Sequence, residues 1–305
     1  MSLAETDVAV AHVPALQAAT MTFRHVVLDF DGTCTRVEDV ANDYIEECLR
    51  IFETEVHAGV TLKLRAALAL VLEMSPKAGW MLAGTPAAPS GADPYIQVGE
   101  AIRMFAKAEK LAKPIPDDLH TRANDAAEAP WREETTEVLE AFRAKGVIVH
   151  FVSNSSTTKI ERRIDALLAG NDALRRSVTV IGDAGKFRIR ELEADAHVPA
   201  HMERLFIDLP AAAPDLVASR PVYLRRGGYF EALCKVWDQK NLAQETLVCG
   251  DIWELDLALP AALGAHVHLV KREAPYGTYP YEKEAVQKLG ARGSFGSLRD
   301  VLARL

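Results

Sequence analysis

Short apolar segments rich in β-branched residues recur along the chain and are separated by stretches with helical periodicity. Gly, Asp, Asn or Ser bounds most of these segments, which is typical of buried strands that end in turns. Strands that alternate with helices predict a parallel sheet covered by helices on both faces, and therefore an α/β fold of the Rossmann-like kind. The predicted strands comprise residues 25–30, 147–152, 178–181, 246–249 and 265–270.

The interval between the first two predicted strands is much longer than one crossover helix. Apolar positions recur there with helical spacing, which predicts an all-helical domain over residues 36–130, inserted into a core of residues 21–35 and 131–305. Residues 1–20 are interpreted as an N-terminal extension. The helices predicted within the insertion comprise residues 37–52, 61–74, 97–111 and 116–126, and a further helix over residues 135–145 leads back to the sheet.

One segment of the insertion, residues 75–94, is rich in Gly, Pro and Ala and carries Trp80 and Met81. Two interpretations are open. It is either a surface loop that packs its own aromatic side chain or a mobile lid or specificity loop.

Composition and charge exclude several classes of protein. The chain has 305 residues, of which 49% are hydrophobic, so it can bury a core without disulfides or structural metals. Its 35 Lys and Arg against 43 Asp and Glu give a formal net charge of −8, and no stretch gathers a basic stripe. We therefore expect neither a nucleic acid nor an anionic membrane as its main partner.

The four cysteines, Cys34, Cys48, Cys234 and Cys249, form no Cys-x-x-Cys pair. This spacing favours free thiols in a reducing compartment. The first twenty residues lack the pattern of a secretory signal, and no apolar run reaches the roughly 18 residues that span a bilayer. The expected location is the cytoplasm.

The first predicted strand ends in the segment Asp29-Phe30-Asp31-Gly32-Thr33. Because side chains alternate along a strand, Asp29 and Asp31 leave it on the same face, at the sheet edge where α/β proteins bind ligands. Two carboxylates so close need a proton or a cation between them. Mg²⁺ suits oxygen ligands, above all where phosphate is also bound, so we expect Mg²⁺ as the cofactor.

Two later strands also end in polar residues. The strand over residues 147–152 is followed by Ser153 and Asn154, which offer donors to a phosphoryl oxygen or serve as ordinary helix caps. The strand over residues 246–249 ends in Gly250-Asp251, and Asp256 follows five positions later.

Together these motifs resemble those of the haloacid dehalogenase-like superfamily of hydrolases. The resemblance implies a phosphatase with a helical cap inserted after the first motif, acting on a small soluble phosphorylated substrate. It assigns Asp29 as the nucleophile and Asp31 as the general acid and base. It assigns the Mg²⁺ site to Asp29, Asp31 and Asp251, with Asp256 supporting it and Glu254 as a competing candidate.

The third motif of that family is where the chain departs from it. The family carries a Lys about 25 residues before the Gly-Asp, and that position holds Arg226, with Arg225 beside it. Together with Ser153 and Asn154, these two arginines are the expected phosphate-binding residues. Lys235 and Lys186 are the other candidates for the cation, and an extra segment of unknown role is expected over residues 188–218.

Three other functions stay open. The missing Lys allows a family member that has lost catalysis and binds a partner, and a phosphomutase would use the same residues. Receiver-type signalling proteins also carry acids, Ser or Thr and Lys at strand ends, but they are small domains without a helical insertion. The second acid, Asp31, favours phosphate ester hydrolysis, since dehalogenating relatives lack an acid there.

Overall fold

A six-stranded parallel sheet forms the centre of the molecule. The computed structural model describes residues 23–111, 113–217 and 220–305, so the predicted N-terminal extension lies outside the described residues. The strands are β1 (His25–Leu28), β2 (Gly79–Leu82), β3 (Thr85–Pro89), β4 (Ile148–Val152), β5 (Val178–Ile181), β6 (Ala212–Val217), β7 (Arg220–Tyr223), β8 (Thr246–Gly250), β9 (His266–Val270) and β10 (Gly293–Gly296).

The sheet has the strand order β10-β9-β8-β1-β4-β5, and every neighbouring pair is parallel. Strand β1 is therefore central, with β8 on one side and β4 on the other. This confirms the predicted α/β fold and all five predicted strands. The edge strand β10 was not predicted, because its sequence Gly-Ser-Phe-Gly has neither an apolar run nor a period of two.

Helices cover both faces of the sheet and fill the insertion. They are α1 (Ala41–Glu55), α2 (Thr61–Met74), α3 (Pro94–Glu109), α4 (Leu119–Ala126), α5 (Thr135–Ala144), α6 (Thr157–Leu167), α7 (Asp172–Arg175), α8 (Ala200–Ile207), α9 (Gly227–Val236), α10 (Ala258–Ala262) and α11 (Pro280–Lys288). None of the described helices combines the length and the apolarity that crossing a bilayer requires.

The apolar core lies in two layers because β1 is buried on both faces. Val27 points into a cluster formed with helices α8 to α11, whereas Val26 and Leu28 point into a second cluster with α5 and α6. The alternation of side chains along a strand sends neighbouring residues to opposite layers. Continuous apolar strands are what such a doubly covered parallel sheet requires.

The helices of the insertion have a core of their own, which includes Tyr44, Phe52, Leu64 and Phe105. Helix α3 begins three residues before its predicted start, since Asp93 accepts a hydrogen bond from the Ile96 N–H and Pro94 occupies the first turn. The insertion is not wholly helical as predicted. Residues 75–94 contain the antiparallel hairpin β2–β3, and both interpretations of this segment stay predictions.

Hydrogen bonds join the insertion to the core near the carboxyl edge of the sheet. The Tyr279 hydroxyl donates to the Gly91 carbonyl and lies 2.6 Å from Ser75 Oγ. The Tyr276 hydroxyl donates to Gln97 Oε1 at 3.0 Å. A small apolar cluster that includes Ala88, Ile96, Ile252 and Leu255 packs where the insertion meets the core, and we call this contact the seam.

The extra segment expected over residues 188–218 forms α8 and the strand β6, which pairs with β7 in an antiparallel hairpin. Met202 and Phe206 of α8 are fully buried against one face of the sheet. The segment leaves the core at Arg190 and returns at Arg226, where the two residues form an isolated parallel bridge. It is an excursion with adjacent ends that covers part of the sheet.

Candidate active site

Three neighbouring strands, β8, β1 and β4, carry their polar residues to one edge of the sheet. Asp29 follows β1 directly, and its N–H donates to the Cys249 carbonyl of β8 at 3.0 Å. Asp251 follows β8, and Ser153 follows β4. The parallel register thus brings together residues that are far apart in sequence, as the strand-end motifs predict.

Gly32 is required where the chain turns away from β1. Its φ is +83°, and a Cβ at this position would lie 2.6 Å from Oδ2 of Asp251. The Thr33 hydroxyl donates to Oδ1 of the same carboxylate at 3.1 Å. The turn after β1 therefore holds the Asp251 carboxylate against the end of the neighbouring strand.

Lys186 is the cation of the site. Its Nζ lies 2.6 Å from Oδ1 of Asp29 and 2.9 Å from Oδ1 of Asp256, and only 1% of its side chain is exposed. Burial disfavours the ammonium, but the carboxylates of Asp256 and Asp29 outweigh burial and raise the pKa of Lys186 above its usual value.

The expectation that Arg226 is the cationic partner of Asp29 is wrong. The fully buried Arg226 guanidinium donates instead to the main-chain carbonyls of Lys186 at 2.5 Å, Ala87 at 2.7 Å and Tyr223 at 3.2 Å. Burial lowers its pKa to about 10. Arg225 is half-buried and donates to the carbonyls of Ile207 and Leu209 and to Glu191, away from the strand-end carboxylates.

The excursion explains why counting back from Asp251 failed. The count assumes that the cation directly precedes the helix that leads into β8. Here α8 and the β6–β7 hairpin lie between Lys186 and α9, so the expected spacing falls on the returning end of the excursion. Arg226 occupies that end, and its guanidinium donates a hydrogen bond to the main-chain carbonyl of Lys186. Lys235, the remaining candidate, is exposed on α9.

The polar residues after β4 support the site in different ways. Ser153 is buried at the edge of the sheet and lines a cavity above the strand ends, which is described below. Asn154 also lines the cavity, and its Oδ1 accepts a hydrogen bond from the Lys186 N–H at 2.8 Å, so it orients the loop that carries the ammonium. The roles of both residues toward phosphate stay predictions.

Two residues that the sequence analysis missed hold Asp31. The Ser155 hydroxyl donates to Oδ2 of Asp31 at 2.5 Å, and Lys159 Nζ lies 3.5 Å from Oδ1. Ser155 belongs to the polar run that follows β4, and Lys159 lies four residues later in the first turn of α6. That spacing is the signal in the sequence that could have identified them.

Asp29, Asp251 and Asp256 form a buried group of three carboxylates, whose nearest oxygens lie within 4.8 Å of one another. Burial raises the pKa of Asp251 well above its usual range, and the Asp256 carboxylate adds to the rise. Burial also raises the pKa of Asp29, although Lys186 works against that rise. An additional positive charge among these oxygens would stabilise their ionised forms.

The donor set fits a hard divalent cation. Three carboxylates against the single ammonium of Lys186 leave two negative charges when all are ionised, and every candidate ligand is an oxygen. Asp29 and Asp251 are the residues that would hold such an ion. Asp256 has other partners, since it binds Lys186 and its Oδ2 accepts from the Ile252 N–H at 3.0 Å.

Glu254, the competing candidate, has a structural role. Its carboxylate pairs with the Arg220 guanidinium at 2.6 Å and accepts a hydrogen bond from the Tyr281 hydroxyl at 2.6 Å. Arg220 also donates to the Pro76 carbonyl, so this ion pair joins the β6–β7 hairpin to the insertion. Glu254 therefore lies outside the group of strand-end carboxylates.

A cavity of about 360 Å³ opens above these residues, with Asp29, Asp31, Ser153 and Asp251 on its floor. Its opposite wall belongs mostly to the insertion. That wall carries aromatic and polar side chains, namely Tyr44, Trp80, Tyr95, His120 and Asn124. A ligand bound to the strand-end carboxylates would contact both parts of the molecule.

Solved structures similar to this chain include both phosphatases and dehalogenases. A predicted phosphoglycolate phosphatase from Haemophilus somnus is 16% identical, with a TM-score of 0.47 over 92% of this chain and 97% of that one. An L-2-haloacid dehalogenase is 15% identical, with a TM-score of 0.44 over 92% and 98%. A HAD phosphatase from Thermococcus onnurineus is 13% identical, with a TM-score of 0.43 over 91% and 95%.

No protein-family model matches the sequence, and no curated protein matches it.

Replacing Arg226 tests its structural role. We expect Arg226→Ala to lower the free energy of unfolding by about 3 kcal/mol, because three buried carbonyls lose a donor and a cavity is left. Urea denaturation of the purified variant measures the change. Arg225→Ala is the matched control, and since its partners Ile207 and Glu191 are exposed to water we expect a loss below about 1 kcal/mol. Equal losses in the two variants would contradict the role given to Arg226.

Proposed function

We propose that the protein is a Mg²⁺-dependent phosphoric monoester hydrolase of the haloacid dehalogenase-like kind that works through an aspartyl phosphate. The observation that carries the proposal is the Asp29 carboxylate at the floor of a cavity, 2.6 Å from Lys186 Nζ and next to Asp251. A nucleophilic carboxylate, a neutralising ammonium and a metal-binding acid are the groups that phosphoryl transfer requires.

In this mechanism Asp29 attacks phosphorus and displaces the substrate alcohol. Lys186 keeps Asp29 ionised and lies where it also attracts the phosphoryl oxygens, while Asp256 holds the ammonium from its other side. Water then attacks the aspartyl phosphate, so one difficult displacement is divided into two easier ones.

Asp31 acts as the general acid and then as the general base. It gives a proton to the departing alcohol and later takes one from the attacking water. Ser155 and Lys159 bind both of its oxygens and so orient the carboxyl group toward the cavity. The same residue distinguishes the proposed phosphatase from dehalogenating enzymes, which by the resemblance have no acid at this position.

Mg²⁺ would be held by the carboxylates of Asp29 and Asp251 and the main-chain carbonyl of Asp31, and when bound it supplies positive charge to the phosphoryl oxygens. The Asp251 main-chain carbonyl accepts a hydrogen bond from Arg272, whose guanidinium pairs with Glu282. These contacts keep the Asp251 carboxylate pointing at the site. Ser153 supplies a hydroxyl donor to the phosphate.

Two alternatives to this function were named from the sequence. A family member without catalysis was motivated by the missing Lys, and the contact between Lys186 and Asp29 removes that motivation. A phosphomutase differs in the acceptor of the phosphoryl group, so the decisive measurement is release of inorganic phosphate to water. Hydrolysis of p-nitrophenyl phosphate with Mg²⁺, and its loss with EDTA, tests the proposal directly.

We expect Asp29→Asn to abolish turnover while the fold stays intact, since the amide keeps the shape of the side chain and removes the nucleophile. Phosphate release and thermal unfolding of the same preparation measure the two effects. A variant that kept a tenth of the wild-type rate would rule out Asp29 as the nucleophile.

Asp31→Asn is expected to reduce kcat far more than Mg²⁺ affinity, because the carboxyl group transfers protons and only the main-chain carbonyl of Asp31 would contact the metal. Mg²⁺ titrations by calorimetry and kinetics at saturating metal separate the two. Undiminished turnover together with weakened Mg²⁺ binding would contradict the acid and base role.

Lys186→Met is expected to reduce kcat on the order of a hundredfold or more, because Asp29 and Asp256 lose their shared ammonium. Steady-state kinetics on p-nitrophenyl phosphate measures the loss. The exposed Lys235 provides the control, and Lys235→Ala should retain the wild-type rate. If both variants kept that rate, the proposed neutralisation of the nucleophile would be wrong.

A further inference from the structure

The upper part of the cavity combines aromatic rings with one carboxylate. The rings of Tyr44 and Tyr95 meet edge to face, with centroids 4.8 Å apart. Those of Trp80 and Phe187 lie 5.5 Å apart, so one pair belongs to helices of the insertion and the other joins β2 to the core. All four rings line the cavity, and so does Asp93.

Asp93 lies at the N-terminus of α3, where its Oδ1 accepts a hydrogen bond from the Ile96 N–H at 2.6 Å. Burial raises the pKa of this carboxyl to about 7, the hydrogen bond from Ile96 opposes the rise, and the nearby Asp31 carboxylate adds to it. Arg272 acts on Asp93 in the opposite direction, but its guanidinium is paired with Glu282. The negative charge of Asp93 is thus only partly compensated.

The described residues that line this cavity include no Lys or Arg. Lys186 and Lys159 do not line the cavity themselves, and they pair with the carboxylates of Asp29 and Asp31 that do. The remaining basic residue, His120, lies 2.5 Å from the Tyr44 hydroxyl, and burial lowers its pKa, which favours the neutral ring. A second anionic group on the substrate would find no cation in the upper cavity.

Ring faces and a carboxylate are the groups with which proteins bind organic ammonium ions. The ring faces attract the cation, and the carboxylate balances its charge in a site of low dielectric constant. We infer that the alcohol part of the substrate carries an ammonium group, as in the phosphate ester of a choline-type amino alcohol. The inference rests on the proposed function and names the class of substrate for that same site.

The dimensions agree with this class. A cavity of about 360 Å³ is near the lower end of ligand sites and suits a phosphate joined to a small amino alcohol. The phosphate would bind at the strand-end residues, and the ammonium would lie between the rings near Asp93. The rings alone would also suit a flat aromatic alcohol, but Asp93 would then have no charged partner.

The test compares phosphocholine with its neutral isostere, 3,3-dimethylbutyl phosphate, in which carbon replaces the quaternary nitrogen. We expect kcat/KM for phosphocholine to exceed that for the isostere by about tenfold or more, and the dissociation constants to differ likewise. Binding to the Asp29→Asn variant, measured by calorimetry, gives the same comparison without turnover.

Asp93→Asn removes the charge and keeps a side chain that caps a helix equally well. In this variant the preference for phosphocholine over the isostere should fall to about twofold or less. Asp118→Asn is the control, because Asp118 also directly precedes a helix but is exposed and does not line the cavity, and the preference should persist.

The outcomes separate the inference from the proposed function. Hydrolysis of p-nitrophenyl phosphate with no preference for phosphocholine in rate or binding overturns the inference and leaves the function standing. A tenfold preference for pyridoxal 5′-phosphate over phosphocholine would overturn it too, in favour of ring stacking. If no ester is hydrolysed, the proposed function fails, and calorimetry on the wild-type protein still decides whether the cavity prefers the cation.

Discussion

The buried ammonium of Lys186 is the contact on which the arrangement of the site depends. Parallel strands bring Asp29 and Asp251 to one edge of the sheet, and the turn after β8 adds Asp256. Carboxylates gathered in this way repel one another and lose hydration, so the fold tolerates them only with a compensating charge. Lys186 provides it from within the chain.

The position of Lys186 is set from two directions. Asn154 accepts a hydrogen bond from its N–H, and Arg226 donates to its carbonyl. Through its other donors Arg226 reaches Ala87 in the hairpin β2–β3, so a single guanidinium connects the floor of the cavity with the insertion that forms its roof. Buried cations that bind carbonyls in this way align segments that the hydrophobic core leaves free to slide.

Most residues on the floor of the cavity could be predicted from the sequence, because they are polar residues that directly follow predicted strands. Asp29, Asp31, Ser153 and Asp251 each follow an apolar run, and a parallel sheet collects such ends at one edge whatever the length of chain between them. The order of the strands and the central place of β1 were not needed to infer that these residues meet. Helices α1 to α4 were predictable for a different reason, since their apolar positions repeat with helical spacing.

The position of Lys186 could not be predicted by counting residues back from Asp251. The excursion between Arg190 and Arg226 adds residues to the chain, although Arg190 and Arg226 lie next to each other in the structure. The hairpin β2–β3 was missed because Ala and Pro, which dominate β3, are poor strand formers, and pairing with β2 outweighs their preference. Asp93 gave no signal of a ligand site, since an Asp before Pro94 indicates a helix cap.

The apolar contact between the insertion and the core has a consequence for how ligand binding affects the stability of the molecule. Ile96, Ile252 and Leu255 belong both to this seam and to the wall of the cavity. A ligand that fills the cavity therefore extends the same apolar contact that holds the two parts together. Ligand binding and the stability of this contact between the insertion and the core are thereby thermodynamically linked.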